Sequence, residues 1–200
     1  IEILVGTQMI AKGHDVAGVT LVGVLLADLS LNIPDFRAAE RTFQLLSQVA
    51  GRAGRGNTPG RVIVQTYAPH HYALSAVVTH DYRNFFHSEI DFRRALNYPP
   101  FARLVLVRVD GPKPLEVKQW AESLGIRLRA EASKAGAQEI QILGPASAPI
   151  ERLRGRYRWH ILIKGKQPAG VLALARRAQR LFEGPRAVRL GVDVDPQNML

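Results

Sequence analysis

Two adjacent prolines, Pro99 and Pro100, divide this chain. Neither carries a backbone N–H, and each pushes the residue before it out of the helical region, so no helix passes easily through the pair. The patterns on the two sides differ. Ahead of the prolines lie short, continuous apolar runs, Ile3 to Val5 and Val19 to Ala27, of the kind that form buried parallel strands. Beyond them the periodicity reads strand 103–109, helix 115–135, strand 139–143, strand 158–164, helix 169–182 and strand 188–194. That order, β-α-β-β-α-β, is the split-βαβ or ferredoxin-like one. The expectation is an α/β chain of two domains, residues 1–97 with part of a parallel sheet and residues 98–200 with a sheet backed by two helices.

Finer features fill in each half. A polar, glycine-containing loop, Gly6 to Gly18, separates the first two strands. Asp35, just after Pro34, is a candidate N-cap for a helix that buries Ala39, Phe43, Leu46 and Ala50. Glycines at 56 and 60 interrupt the pattern, a strand follows over 61–67, and two amphipathic helices follow over 69–78 and 81–96. In the second half, Val188, Leu190, Val192 and Val194 alternate with Arg189, Gly191, Asp193 and Asp195. Val171, Leu174, Ala175, Ala178 and Leu181 form an apolar helical stripe opposite Arg176, Arg177 and Arg180.

The chain contains no cysteine, which excludes disulfides and thiolate metal sites within it and fits a reducing cytoplasm. No apolar run is long enough to span a bilayer, and nothing resembles a signal peptide. The chain opens inside what reads as a buried strand, as a fragment of a longer protein would. The net charge of +10 is unevenly spread. Residues 1–90 hold seven basic and seven acidic side chains, residues 91–144 nine and six, and residues 145–200 eleven and four. Such a local surplus suits a polyanion, nucleic acid above all, or else a solvated basic face.

Three stretches carry chemistry. Gln48-Val49-Ala50-Gly51-Arg52-Ala53-Gly54-Arg55 would set Gln48, Arg52 and Arg55 on one helical face. Each glycine there costs a helix about 1 kcal/mol relative to alanine, which close backbone approach to another surface would explain. Permanently charged, forked guanidinium groups suit a triphosphate, where charge accumulates in phosphoryl transfer. The second stretch, Gly6 to Asp15, follows a strand, where α/β folds bind ligands, and offers Thr7, Gln8 and Lys12 to phosphate oxygens and Asp15 to a ribose. The third runs from Ile150 to Trp159. Arg152, Arg154, Arg156 and Arg158 interleave there with Tyr157 and Trp159, around a basic hairpin tip at Arg154-Gly155-Arg156. Its arginines suit phosphates and its rings suit stacked bases, unless Trp159 is core and the arginines are merely solvated. His70 and His71 are adjacent, hence poorly spaced for a metal, and better suited to a loop or helix start. Asp193 and Asp195 share a strand face without an acid–base partner in view.

The first two stretches, in this order, resemble motifs V and VI of the superfamily 2 helicases. The fuller pattern resembles the PriA family of replication-restart helicases, also called primosomal protein N′. It is carried by Ile3–Asp15, Ala27–Ala38, Glu40–Leu46, Tyr98-Pro99-Pro100-Phe101, Ile142–Pro145, Gly155–Trp159 and Asp193–Pro196. Val16-Ala17-Gly18 departs from that pattern, where an aromatic residue and a proline are expected.

The resemblance implies an ATP-dependent 3′-to-5′ DNA helicase that recognises stalled or branched forks and starts primosome assembly. It implies a RecA-like second motor lobe in residues 1–97 and a DNA-binding domain in 98–200. Arg55 as arginine finger, Arg52 and Gln48 would serve catalysis, and Gly13, Asp15 and Gly51 the nucleotide. Thr7, Gln8 and Lys12 would meet the translocated strand, and Arg152, Arg154, Arg156, Tyr157 and Arg158 the branched DNA. ATP and Mg²⁺ would be held mostly by a first lobe lying before Ile1, and zinc only by an insertion also upstream, so no metal is expected in this chain. Alone, without a phosphate loop, the chain should not turn over ATP. Branched and single-stranded DNA, single-strand-binding protein and primosome proteins would be its partners, and the cytoplasm its location. A non-catalytic fork-binding and docking module that inherited these motifs is the alternative. A phosphate loop in the parent protein would decide for the motor.

Overall fold

The computed structural model describes residues 3–7, 18–51, 53, 59–134 and 139–199. It divides into two compact units, residues 1–92 and 93–200. The division falls a few residues ahead of the Pro99-Pro100 pair, whose peptide bond is cis.

In the first unit, strands β1 (Leu21–Val24) and β2 (Arg61–Val64) pair in parallel, Leu21 opposite Arg61 and Val24 opposite Val64. Helices α1 (Asp28–Leu31), α2 (Ala38–Ala50) and α3 (Tyr72–Val78) follow in chain order around them, and α4 (Tyr82–Ala95) runs across the division. The core is a small cluster of Phe43, Leu46, Ala73, Leu74, Ala76, Val77 and Phe85, with Val24 and Val64 packed against it. Phe43 and Phe85 stack with ring centroids 4.2 Å apart, close enough to add to the gain from burial.

Two expectations for this unit need correction. Ile3 to Val5 form no strand; Ile3 and Val5 are 81% and 86% exposed. An apolar run names no partner, and pairing depends on what lies alongside. Asp35 does not cap α2, which starts at Ala38 after Arg37. Its buried carboxylate instead accepts from the Arg37 backbone N–H at 2.9 Å and from the Arg41 guanidinium at 2.8 Å, fixing the turn that feeds the helix. The short helix α1 was not foreseen at all. His71, read as a helix-start residue, is one: its Nδ1 accepts from the Ala73 N–H at 3.2 Å at the head of α3. Burial lowers the pKa of its imidazole, opposed by the nearby Glu89 carboxylate.

The second unit holds strand β3 (Arg103–Gly111), helix α5 (Pro114–Lys134), the long strand β4 (Ile140–Leu153), strand β5 (Arg156–Gly165), helix α6 (Pro168–Leu181) and strand β6 (Arg189–Val194). The four strands form one antiparallel sheet in the order β4-β5-β3-β6. The β-α-β-β-α-β order is therefore present, and β4 and β5 each extend beyond the range that periodicity marked. Strand residues Val105, Val107, Val109, Ile161 and Ile163 are wholly buried against Val117, Ala121, Leu124 and Leu128 of α5 and Val171, Leu174, Ala175 and Ala178 of α6. Both helices thus cover one face of the sheet. Because side chains alternate along a strand, the other residues of β3, β5 and β6 point to the face that carries neither helix.

Among the described residues no helix is long and apolar enough to cross a membrane. None of them gather in a group of three or more His, Cys, Asp or Glu placed to hold a metal ion.

Candidate nucleic-acid interface

Of the residues expected to handle nucleotide or the translocated strand, Gln8, Lys12, Gly13, Asp15, Arg52 and Arg55 lie outside the described residues. Thr7 is exposed in a stretch without regular structure. Gln48 projects from the last turn of α2 into solvent, and Gly51 closes that helix, its N–H donating to the Ser47 carbonyl at 3.1 Å. A side chain at the end of a rigid helix, aimed outward, is available to a ligand. The residues that would complete a nucleotide site with it are not described.

The basic hairpin is described in full. β4 and β5 are joined by Arg154 and Gly155 alone, and both have positive φ, 49° and 79°. Two-residue hairpin turns of this kind need positive φ at both central positions, and glycine supplies one of them without strain. Arg154 is therefore held at the outermost point of the hairpin, exposed and with no ion pair among the described residues.

Alternation then separates the remaining arginines. Arg152 and Tyr157 are cross-strand partners, and the Arg152 guanidinium lies over the Tyr157 ring, 5.3 Å from its centroid. Trp159, two residues on, packs partly against the core, with the Lys118 ammonium 5.9 Å from its ring centroid. Arg156 and Arg158 point to the opposite face. Arg156 Nε donates to Asp110 at 2.5 Å, and its Nη2 donates to the carbonyls of Asp110 and Ala187 at 2.9 and 2.8 Å. Arg158 is buried, with Nε and Nη2 both donating to the Ile150 carbonyl, at 3.0 and 2.6 Å. Its pKa is lowered first by burial and then by the neighbouring Arg108, with Asp110 opposing.

The four interleaved arginines thus have two uses. Arg156 and Arg158, both expected to meet DNA, are engaged within the protein: Arg156 ties β5 to Asp110 of β3, and Arg158 ties β5 to the Ile150 carbonyl of β4. Arg152, Arg154 and Tyr157 remain presented to solvent or half exposed. Burying a guanidinium without partners would be costly, so the buried Arg158 and partly buried Arg156 need the carbonyl and carboxylate partners they have.

Sequence reasoning missed Arg108, His160 and Lys164 on the face without helices and marked only Arg189. Arg108 sits opposite Gly191 across β3 and β6, and Arg189 sits opposite Asp110. His160 lies opposite Arg108, its Nε2 buried without a partner, and its pKa is lowered to about 4 by burial and by the charges of Arg158 and Arg108. Farther along, Lys164 is buried, donates to the Leu96 carbonyl at 2.8 Å and lies 4.4 Å from the Tyr98 ring centroid. Alternation in β6 marked Arg189 as facing away from the core. Nothing local marked which arginine would lie beside it.

Comparison with known proteins extends over the whole chain. The family described as "Primosomal protein N C-terminal domain" matches residues 94–197. "Replication restart protein PriA" of Bacillus subtilis is 45% identical over 202 residues, covering all of this chain and 25% of that protein. Its namesake in Synechocystis is 45% identical over 195 residues, covering 98% of this chain and 23% of that protein, and that of Treponema pallidum is 40% identical over 200 residues, covering all of this chain and 30% of that protein. The chain spans about a quarter of the length of these relatives. With the family's C-terminal domain matched over residues 94–197 and close relatives along its full length, this chain belongs to the PriA family.

Proposed function

We propose that this chain is the C-terminal portion of an ATP-dependent 3′-to-5′ DNA helicase that recognises branched or stalled forks and initiates primosome assembly. In this reading residues 1–97 belong to a RecA-like second motor lobe and residues 98–200 form a basic, ferredoxin-like DNA-binding domain. The observation that carries the DNA-binding half is the hairpin end, where Arg154 stands at a tight turn and Arg152 lies over Tyr157. Guanidinium groups on a projecting turn neutralise phosphates, and an aromatic ring beside them offers a stacking surface. The basic surplus of residues 145–200 supports the same reading.

For the motor half the support is the family together with the exposed Gln48 at the end of α2, which leads in sequence to Arg52 and Arg55. Arg55 would stabilise charge on a γ-phosphate, with Arg52 beside it and Gln48 orienting nucleotide or water; Gly13, Asp15 and Gly51 would line the nucleotide. Thr7, Gln8 and Lys12 would contact the translocated strand. Bound ATP and Mg²⁺ would supply the phosphoryl chemistry, held mainly by parts of the parent protein outside this chain. Single-strand-binding protein and primosome proteins would be its partners, in the cytoplasm.

Fluorescence anisotropy with a labelled fork, a single strand and a blunt duplex, at low and moderate salt, tests the DNA-binding half. Salt-sensitive binding that favours the fork is expected. No binding to any of the three at low salt would remove DNA recognition from this chain. In the complete protein, Arg55→Ala is expected to abolish DNA-stimulated ATP hydrolysis while leaving DNA affinity intact, and normal turnover would take Arg55 out of that role.

A further inference from the structure

The helix-free face of the second unit differs in kind from the hairpin edge. Along β3, β5 and β6 its outward positions near the hairpin root are Arg108 and Asp110, Arg156, Arg158 and His160, and Arg189, Gly191 and Asp193. Four arginines there face two carboxylates. Arg156 and Arg158 are already committed to Asp110 and to main-chain carbonyls. Arg189 is exposed and makes no ion pair among the described residues, and Arg108 reaches Asp110 only at 3.7 Å with its side chain 43% exposed.

Gly191 explains how Arg108 is presented. A Cβ at position 191 would meet Arg108 Nη2 at 3.3 Å, Nε at 3.7 Å and Cζ at 3.8 Å. The guanidinium therefore lies across the glycine, flat on the sheet. This leaves one plane of N–H groups pointing along the surface, in the fork geometry that matches phosphate oxygens. Beneath it His160 is kept uncharged by burial, so it does not repel these arginines near neutral pH.

The strands place no Phe, Tyr or Trp on this face, whereas the opposite side of the same hairpin carries Tyr157 and Trp159. Unstacked bases of a single strand need aromatic surfaces. A duplex keeps its bases stacked internally and offers only its phosphate backbone to a sequence-independent surface. We propose that the helix-free face, through Arg108 and Arg189, binds the phosphate backbone of duplex DNA, and that the hairpin edge with Arg152, Arg154 and Tyr157 takes the single strand. This rests on the DNA-binding reading above and divides its site in two.

Three variants of the 200-residue chain decide it: Arg108→Gln with Arg189→Gln, Gly191→Val, and Arg152→Gln with Arg154→Gln. Each is titrated against a blunt duplex and a single strand over a range of salt, with circular dichroism to confirm folding. The Arg108/Arg189 variant should lose on the order of 10-fold in duplex affinity and lower the log–log salt slope by roughly 2, with single-strand affinity little changed. Gly191→Val, which retains both charges but lifts the Arg108 guanidinium, should weaken duplex binding selectively as well. The hairpin variant should show the reverse preference.

Duplex binding unchanged in both face variants, or lost equally for both ligands, would overturn the division while leaving DNA binding in place. Displacement of the duplex by inorganic phosphate at constant ionic strength would mark a single-ion site and overturn it too. Failure of the unaltered chain to bind either ligand would overturn the DNA-binding reading itself.

Discussion

The two units bury their strands to different degrees, and the difference follows from how those strands pair. In the second unit, the antiparallel sheet keeps one face wholly inside, with Val105, Val107, Val109, Ile161 and Ile163 fully buried. In the first, the parallel pair of β1 and β2 shields Val24 and Val64 against helices but leaves Leu21 at 59% and Ile63 at 48% exposure, with Leu25, just past β1, at 78%. An antiparallel sheet can be complete with one face covered, because its other face can carry polar groups, as Arg108 and Arg189 do here. A parallel sheet is apolar on both faces and is satisfied only when both are packed. The first unit thus leaves apolar strand residues exposed, while the second has a closed core of its own.

The largest effect that would break this comparison is a core truncation. Leu128→Ala removes a fully buried side chain from the second unit and should cost about 2–5 kcal/mol. Both tryptophans, Trp120 and Trp159, lie in that unit, so their fluorescence during urea denaturation reports its unfolding alone. Leu25→Ala in the first unit should shift the hydrogen-exchange protection of α2 and α3 by less than about 0.5 kcal/mol. A cost for Leu25 equal to that for Leu128 would mean that the exposed segment leaving β1 is packed after all.

Next in size is the response to acid. His160 holds off its proton to about 4 in the folded chain because of burial, then Arg158 and Arg108, while an unfolded chain takes it up near 6.5. The unfolded state thus binds more protons between those values. Stability that is complete above about pH 6.5 is lost as pH falls towards 4, by at most about 3 kcal/mol. Tryptophan-detected denaturation at stepped pH should show that loss, and His160→Gln should flatten it. An unchanged slope in the variant would assign the acid response to other groups.

A smaller effect sharpens the account of the hairpin. Gly155 has φ of 79°, where a β-branched side chain is strained, so Gly155→Val should cost about 1–2 kcal/mol and loosen β4 and β5 near the tip. Hydrogen exchange would reveal faster opening at the amides beside Arg154, with the strand centres unaffected. Uniform protection would show that the turn tolerates the change.

Much of this architecture was legible because it is local. Helical stripes such as Val171, Leu174, Ala175 and Ala178 name their own buried face, and the alternation of β6 named its inner side before any partner was known. The Arg154-Gly155 turn was legible for the same reason: two residues decide it. Ile3 to Val5 misled because an apolar run carries no information about who pairs with it. Asp35 misled because a cap and a turn anchor use the same side chain, and Arg37 and Arg41 decided between them.

The sequence by itself determined the change of pattern around Pro99 and Pro100, the order of elements in the second unit, the position of the hairpin tip and the basic surplus of residues 145–200. Each depends on residues close together in the chain. Only the tertiary structure decided which arginines are committed and which are presented. Arg156 and Arg158 find Asp110 and the Ile150 carbonyl across strands, and Arg108 lies flat because Gly191 is its neighbour 83 positions later. Spacing along the chain tells what a guanidinium could do. Its cross-strand partners, set by sheet register over long loops, determine whether it is free to do it.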